Sequence, residues 1–269
     1  MLYTKIDLTM PHVKTTDITA SWIRTNLGLP AKCVELEPIA SDFGFASEIV
    51  RVHISGESPT TLIAKLPRDD QSTEVEFYRD IAPKVRDVYL PKCYFSEPGI
   101  IILEELGPGR CGNVIDGCTP KEATAVVTAL ATFHRQFWQN DTTLIHSDFH
   151  LDNIFFFNNG EVAIFDWQRP RRGMAMVDLA RFLGSCVEPE VLKKHHENFL
   201  ETYIKTLDHP WERFIDAYKA EIVATEGRYL KYYAKVDQEK LIPRQKKLWE
   251  VELRRIKHAV KLVNRMTNH

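Results

Sequence analysis

A carboxylate at the end of an apolar run restricts where that run can lie in a fold. Asp166 closes Val162-Ala163-Ile164-Phe165. A charge on a buried strand end is costly unless it meets a cation or good hydrogen-bond donors. A second polar cluster stands just upstream, after the short apolar run Leu144-Ile145: His146-Ser147-Asp148-Phe149-His150-Leu151-Asp152-Asn153. Between the two clusters the sequence predicts a hairpin, with strands over 154–157 and 162–165 around Asn158-Asn159-Gly160. Asn-Gly is a strong signal for a two-residue hairpin turn. Alone, Asp148 would read as a turn-capping surface acid. Read with Asn153 and Asp166, it becomes a candidate proton acceptor beside two candidate oxygen ligands for a divalent cation.

The rest of the chain divides by pattern. A helix is expected over 17–27, with Asp17 as N-cap and Gly28 beyond its end. Strands are expected over 33–39, 47–54 and 61–66, rich in β-branched and apolar residues. A helix over 72–81 should stop before Pro83, with Glu74 and Glu76 in its first turn. Strands over 92–96 and 100–106 flank Glu97-Pro98-Gly99. Residues 107–120 read as a connector. Helices follow over 121–138, 176–186, 190–207, 210–234 and 243–266. The expected class is α+β. An antiparallel β lobe with a helix (1–106, hinge about 103–108) precedes a mainly helical lobe (107–269).

Lys65 lies inside the apolar strand Leu62-Ile63-Ala64-Lys65-Leu66, where an amine needs a partner. A triphosphate and a helix carboxylate would both serve; an edge-strand lysine reaching solvent is the alternative. Glu74 and Glu76 point about 200° apart on a helix, so one of them can face it. The turn 41–47, with Gly44 and Ser47, could fold over phosphates through backbone N–H groups, although a simple hairpin explains it nearly as well. The backbone around Glu104 and Leu106, at a strand end, could meet an adenine edge. His146 reads as a second base or, more simply, as a ring that holds its loop by hydrogen bonds; His150 is open in the same way, with a solvent-facing loop residue as its plain alternative, and His134 reads as a helix–helix packing residue.

Composition sets the outer limits. With 44% hydrophobic and 27% charged residues and a net charge of -2, the 269-residue chain gives no reason to expect nucleic acid or an anionic membrane as partner. No apolar run approaches the roughly 20 residues of a membrane span, and the N-terminus lacks a signal-peptide core. A cytoplasmic location is expected. Five scattered cysteines without a C-x-x-C pair argue against a disulfide framework or a zinc site.

The Asp148-to-Asn153 spacing is that of the D-x-x-x-x-N catalytic loop of kinases. More broadly, the chain resembles the aminoglycoside phosphotransferase and choline-kinase-like superfamily of small-molecule kinases, and within it the ecdysteroid-kinase-like branch. The likeness rests on LIHSDFHLDN (144–153), IFDWQ (164–168) and Asp178-Leu179-Ala180. SEIVRV (47–52), Glu74-x-x-Phe77-Tyr78 and Leu130-Ala131-Thr132-Phe133-His134 add to it. It spans roughly residues 34–183. The resemblance implies a bilobal protein-kinase-like fold, ATP as donor and Mg2+ as cofactor. It implies Asp148 as base, Asn153 and Asp166 as metal ligands, and Lys65 on the α and β phosphates, steadied by Glu74. It also implies a small-molecule hydroxyl as acceptor. Two departures stand out. The phosphate loop has one glycine, and the catalytic loop reads His-Ser-Asp where His-Gly-Asp is usual.

On the acceptor side, Trp167, Trp211, Tyr218, Tyr229, Tyr232, Tyr233 and Trp249 could line a pocket for an apolar or amphipathic alcohol or a quaternary ammonium, or could simply form the helical core. From Lys231 onward the chain is strongly basic. That argues against an aminoglycoside polycation and fits a solvated helix face. An antibiotic kinase, a pseudokinase-type binding module, and a basic C-terminus docking an acidic partner or nucleic acid are the competing readings.

Overall fold

In a computed structural model the structure describes residues 13–39, 47–58, 60–67, 72–209 and 212–266. The chain divides into two compact units, Met1–Lys84 with Pro91–Leu106, and Val85–Leu90 with Gly107–His269.

The first unit is a five-stranded antiparallel sheet with the order β1-β2-β3-β5-β4. Its strands are β1 (Ala31–Ile39), β2 (Ser47–Gly56), β3 (Thr60–Pro67), β4 (Cys93–Glu97) and β5 (Ile100–Glu104). β2 shows why it is a strand: Val50, Val52 and Ile54 are buried while the residues between them are partly exposed, the period of a half-buried sheet. Those side chains join Leu62, Ala64, Leu66, Ile100 and Ile102 under Ile23 of helix α1 (Ala20–Leu27). Each fully buried aliphatic contributes about 1.5–3 kcal/mol.

Three expectations need correction here. The cap of α1 is Thr19, whose hydroxyl accepts the Trp22 N–H at 3.2 Å; Asp17 instead accepts the Lys14 N–H at 2.8 Å, in a separate 3-10 turn. The expected helix over 72–81 is α2 (Ser72–Glu76) followed by a π turn, Phe77–Ile81, and a 3-10 turn, Ala82–Lys84. Pro83 sits inside that last turn, where its missing N–H is tolerated. The strand expected to reach residue 106 ends at Glu104.

The second unit is mainly helical. It contains α3 (Pro120–Gln136), α4 (Met176–Ser185), α5 (Pro189–Leu207), α6 (Glu212–Tyr233) and α7 (Pro243–Val263). Two small sheets sit among them: β6 (Gly109–Cys111), β8 (Ile154–Phe157) and β9 (Val162–Ile164) in one, β7 (Thr143–Ile145) and β10 (Arg171–Gly173) in the other. β6 lies in what the sequence presents as a connector. Its three residues are exposed and carry no alternation, so only pairing with β8 makes them a strand. A Cβ at Gly109 would come within 2.2 Å of the Phe156 carbonyl oxygen, so the close approach requires glycine. α3 opens with a capping box in which Thr119 and Glu122 satisfy each other's backbone N–H groups. The hairpin turn is longer than a two-residue one: Phe157 N–H reaches the Glu161 carbonyl at 3.0 Å, and Gly160 takes φ 92°.

Arg255 of α7 is fully buried. It bonds the carbonyls of Val114, Ile115 and Ser185 and the carboxylate of Glu188. Arg244, on the same helix, reaches Asp152 at 2.8 Å. The basic C-terminal segment is therefore more than a solvated face. Among the described residues no helix is long and apolar enough to cross a membrane. All five cysteines are free thiols, and Cys118 and Cys186 are buried.

His196 of α5 is buried, with its Nε2 3.0 Å from the Tyr218 hydroxyl. Burial lowers its pKa from 6.5 to about 4. The folded state holds the neutral ring, whereas the unfolded chain takes up the proton first. Stability present above about pH 6.5 is therefore lost as pH falls toward about 4, by about 3 kcal/mol from this group. Urea denaturation at about pH 7 and about pH 4.5 should show His196→Gln losing less stability across that interval than the wild type. An equal loss in both proteins would refute the assignment.

Candidate active site

The hairpin β8–β9 assembles the polar cluster. Ile154 pairs with Ile164, and beyond that pair the Phe165 N–H donates to the Asn153 carbonyl at 3.0 Å. Asn153 and Asp166 therefore stand at the same end of the hairpin. His146 ties the upstream loop to the same place, its Nε2–H donating to the Phe165 carbonyl at 3.0 Å. The other ring nitrogen, Nδ1, lies 3.4 Å from the Asp148 N–H. The ring is buried against Trp167, 4.5 Å between centroids. His146 thus holds the loop and is closed off from a role as base.

Asn153 is buried, and its amide nitrogen donates to the Asp148 carbonyl at 2.9 Å. That bond fixes the amide orientation and leaves Oδ1 without a hydrogen bond among the described residues. Asp166 takes φ 65°, a left-handed conformation uncommon outside glycine, and its Oδ1 accepts from the Gln168 side chain at 2.7 Å.

The Asp148 side chain is 48% exposed. Its carboxylate lies 3.6 Å from His150 Nε2 and 3.7 Å from Arg181 of α4. Burial pushes the carboxyl up, but His150, Arg181 and His146 outweigh it and hold it below the usual carboxylate range. His150 is thus a partner of the acid, neither a free base nor a solvent-facing residue. Arg181 is itself braced: it reaches Glu252 of α7 at 3.3 Å and lies over the Tyr229 ring at 4.7 Å. The Tyr229 hydroxyl donates to Glu252 at 2.7 Å.

Beneath the loop lies Asp178, buried on α4. Its carboxylate accepts the backbone N–H groups of His146 at 2.6 Å and Ser147 at 2.9 Å. The His134 ring, 3.3 Å away through Nε2, continues the chain to the Tyr203 hydroxyl at 2.6 Å. Burial and the nearby Asp178 keep the Tyr203 phenol above its ordinary pKa, so it remains a donor. His134 does sit where α3 meets α5, but as a hydrogen-bonded link rather than as packing.

Ser147 occupies the position where the resembled family has glycine, and it takes φ 69°. Its hydroxyl is buried without a hydrogen-bond partner. Left-handed backbone costs an L-residue roughly 1–2 kcal/mol, and an unsatisfied buried hydroxyl costs about 1–3 kcal/mol. Glycine returns roughly 0.5–1 kcal/mol of that as chain entropy. Ser147→Gly should raise stability by about 1 kcal/mol in chemical denaturation; a loss of stability would contradict the strain.

In the first unit Lys65 and Glu74 form an ion pair of 2.6 Å, both buried, while Glu76 is exposed. Ser47 is buried at the start of β2. Glu104 is anchored to Lys92 twice, its N–H to the Lys92 carbonyl at 2.8 Å and its carboxylate to the Lys92 N–H at 3.0 Å. Leu106 follows the strand and is partly buried. Gly44 and Trp211 lie outside the described residues.

Asp148 opens onto a cavity of about 430 Å3 lined by α4, α6 and α7. The aromatic residues divide. Trp167 and Tyr218 are core, whereas Tyr229, Tyr232, Tyr233 and Trp249 line the cavity.

Residues 139–214 match the family model described as "Ecdysteroid kinase-like family". No curated protein matches the chain by sequence. Solved structures are similar over most of its length. The choline kinase of Cryptosporidium parvum Iowa II has a TM-score of 0.62 at 9% identity, with 93% of this chain and 96% of that one covered. Macrolide 2'-phosphotransferase MphH of Brachybacterium faecium has 0.57 at 14%, covering 92% and 97%. The ternary complex of streptomycin, ATP and APH(2")-IIa has 0.56 at 14%, covering 92% and 99%. The chain has the α+β fold of the aminoglycoside phosphotransferase and choline-kinase-like small-molecule kinases, and its segment 139–214 matches the ecdysteroid kinase-like family.

Proposed function

We propose that the chain is an ATP- and Mg2+-dependent phosphotransferase that moves the γ-phosphate to a hydroxyl of a small organic molecule. The observation that carries this reading is the end of the β8–β9 hairpin, where Asn153 and Asp166 stand together and Asn153 is bonded to the Asp148 carbonyl of its own loop. An amide oxygen and one carboxylate, both hard donors, suit Mg2+, which takes one or two carboxylates and fills its shell with phosphate and water oxygens. Among the described residues no group of three His, Cys, Asp or Glu could hold a metal alone. Such a site therefore depends on the triphosphate. Bound there, the ion would neutralise charge on the β and γ phosphates.

Asp148 faces the cavity in which the acceptor would sit. It accepts the hydroxyl proton as the acceptor oxygen bonds to the γ-phosphorus, and the bond from that phosphorus to the bridging oxygen breaks to leave ADP. A carboxylate held this acidic is a weak base. It orients the hydroxyl and takes its proton late, as phosphoryl transfer requires. Lys65, fixed by Glu74, is assigned to the α and β phosphates, Gly44 and Ser47 to the phosphate loop, and the backbone at Glu104 and Leu106 to the adenine edge.

The three arginines that line the cavity, Arg169, Arg181 and Arg228, weigh against an aminoglycoside polycation as acceptor. Incubation with ATP, Mg2+ and a panel of alcohols should yield a phosphomonoester of at least one of them together with ADP. ADP release indifferent to every alcohol would argue against the transfer.

A further inference from the structure

The cavity beside Asp148 has a wall and a charge that its size alone does not require. Trp249 of α7 lies against Tyr232 and Tyr233 of α6, with ring centroids 5.3 and 4.7 Å apart. Yet Tyr232 is 64% and Tyr233 42% exposed. Rings packed on one another at 48° and 45° that still face open space along a cavity form an apolar platform of tilted rings. The charge is skewed. Three guanidiniums, Arg169, Arg181 and Arg228, line the cavity against the carboxylates of Asp148 and Glu252. Two of the three are already matched: Arg181 by Glu252 and Asp148, and Arg228 by Glu221. Arg169 is exposed and makes no hydrogen bond or ion pair among the described residues. A free guanidinium is a planar fork suited to a two-oxygen anion.

We propose, resting on the phosphotransferase reading above, that the acceptor is a largely apolar alcohol bearing a carboxylate or similar oxyanion. Its body lies on the Tyr232–Tyr233–Trp249 platform and its anion meets Arg169. An oxyanion at Arg169 has a second possible source, the terminal phosphate of ATP, and the test separates the two.

Isothermal titration without nucleotide, using para-(hydroxyethyl)benzoate, its methyl ester and the para-(hydroxyethyl)benzylammonium ion, compares anion, neutral and cation on one aryl alcohol. The carboxylate should bind at least about 10-fold more tightly than the ester, and the ammonium most weakly. Arg169→Gln, at a side chain with no internal partner, should bring the carboxylate to the ester's affinity and leave ATP affinity unchanged. The proposal is overturned if the ester or the ammonium binds as well as the carboxylate, if none of the three binds at millimolar concentration, or if the preference survives Arg169→Gln. It is also overturned if Arg169→Gln weakens ATP while the preference persists, which would assign the guanidinium to the nucleotide. Carboxylate binding with no phosphomonoester formed from ATP would instead count against the phosphotransferase reading and leave the ligand class standing.

Discussion

Asp148→Asn should lower turnover by about 10²–10⁴-fold, the range for loss of a positioned acid–base group, while the affinity for ATP changes by less than about 3-fold. The substitution keeps the shape and removes the proton acceptor. His150 and Arg181, both beside the carboxylate, lose a partner, but the group is half exposed and solvent replaces most of that interaction. Folding should therefore be nearly intact, which thermal denaturation of the variant checks. Turnover close to wild type would remove Asp148 from the role of base.

Asp178→Ala should cost about 3–5 kcal/mol of stability, the cost of removing one partner from a buried charged network. The carboxylate accepts two backbone N–H groups and faces a histidine, all in the interior. Alanine leaves those donors unsatisfied. Against a typical total of about 5–15 kcal/mol, this is a large share. Asp178→Asn retains one accepting oxygen and should lose less, because its amide nitrogen cannot accept the second N–H. Guanidinium denaturation of both variants tests the ranking; an alanine variant as stable as the asparagine one would show that the carboxylate does not hold the loop.

The sequence made some of this architecture legible because the determining interactions are local. The apolar runs either side of Asn158-Asn159-Gly160 specify the hairpin, and a hairpin brings its two ends together whatever surrounds it. That is why Asn153 and Asp166 could be read as a pair before any coordinates. The Lys65–Glu74 ion pair was legible in part: an amine inside an apolar strand demands a partner, and helix geometry allowed one of two acids to meet it. Asp178 left a signal of the same kind, a carboxylate within Met176-Val177-Asp178-Leu179-Ala180, but the backbone N–H groups it satisfies lie 31 and 32 residues away. The bracing of Arg181 by Glu252 and Tyr229 had no local trace, since it depends on how α4, α6 and α7 pack. The same holds for Arg255, read from sequence as one of many surface cations and found buried among carbonyls. The smaller misses have local causes. Thr19 and Asp17 are both good caps, and side-chain geometry chose between them. β6 is a strand only because β8 lies beside it.

The central claim is that Asn153 and Asp166 hold a divalent cation on a nucleoside triphosphate next to Asp148. Titration of ATP into the wild type and into Asp166→Asn, with and without Mg2+, tests it most directly. The account predicts that Mg2+ strengthens ATP binding to the wild type by at least about 10-fold, about 1.4 kcal/mol, and that Asp166→Asn abolishes this dependence. ATP affinity indifferent to Mg2+ in the wild type, or a metal dependence that survives in Asp166→Asn, would contradict it.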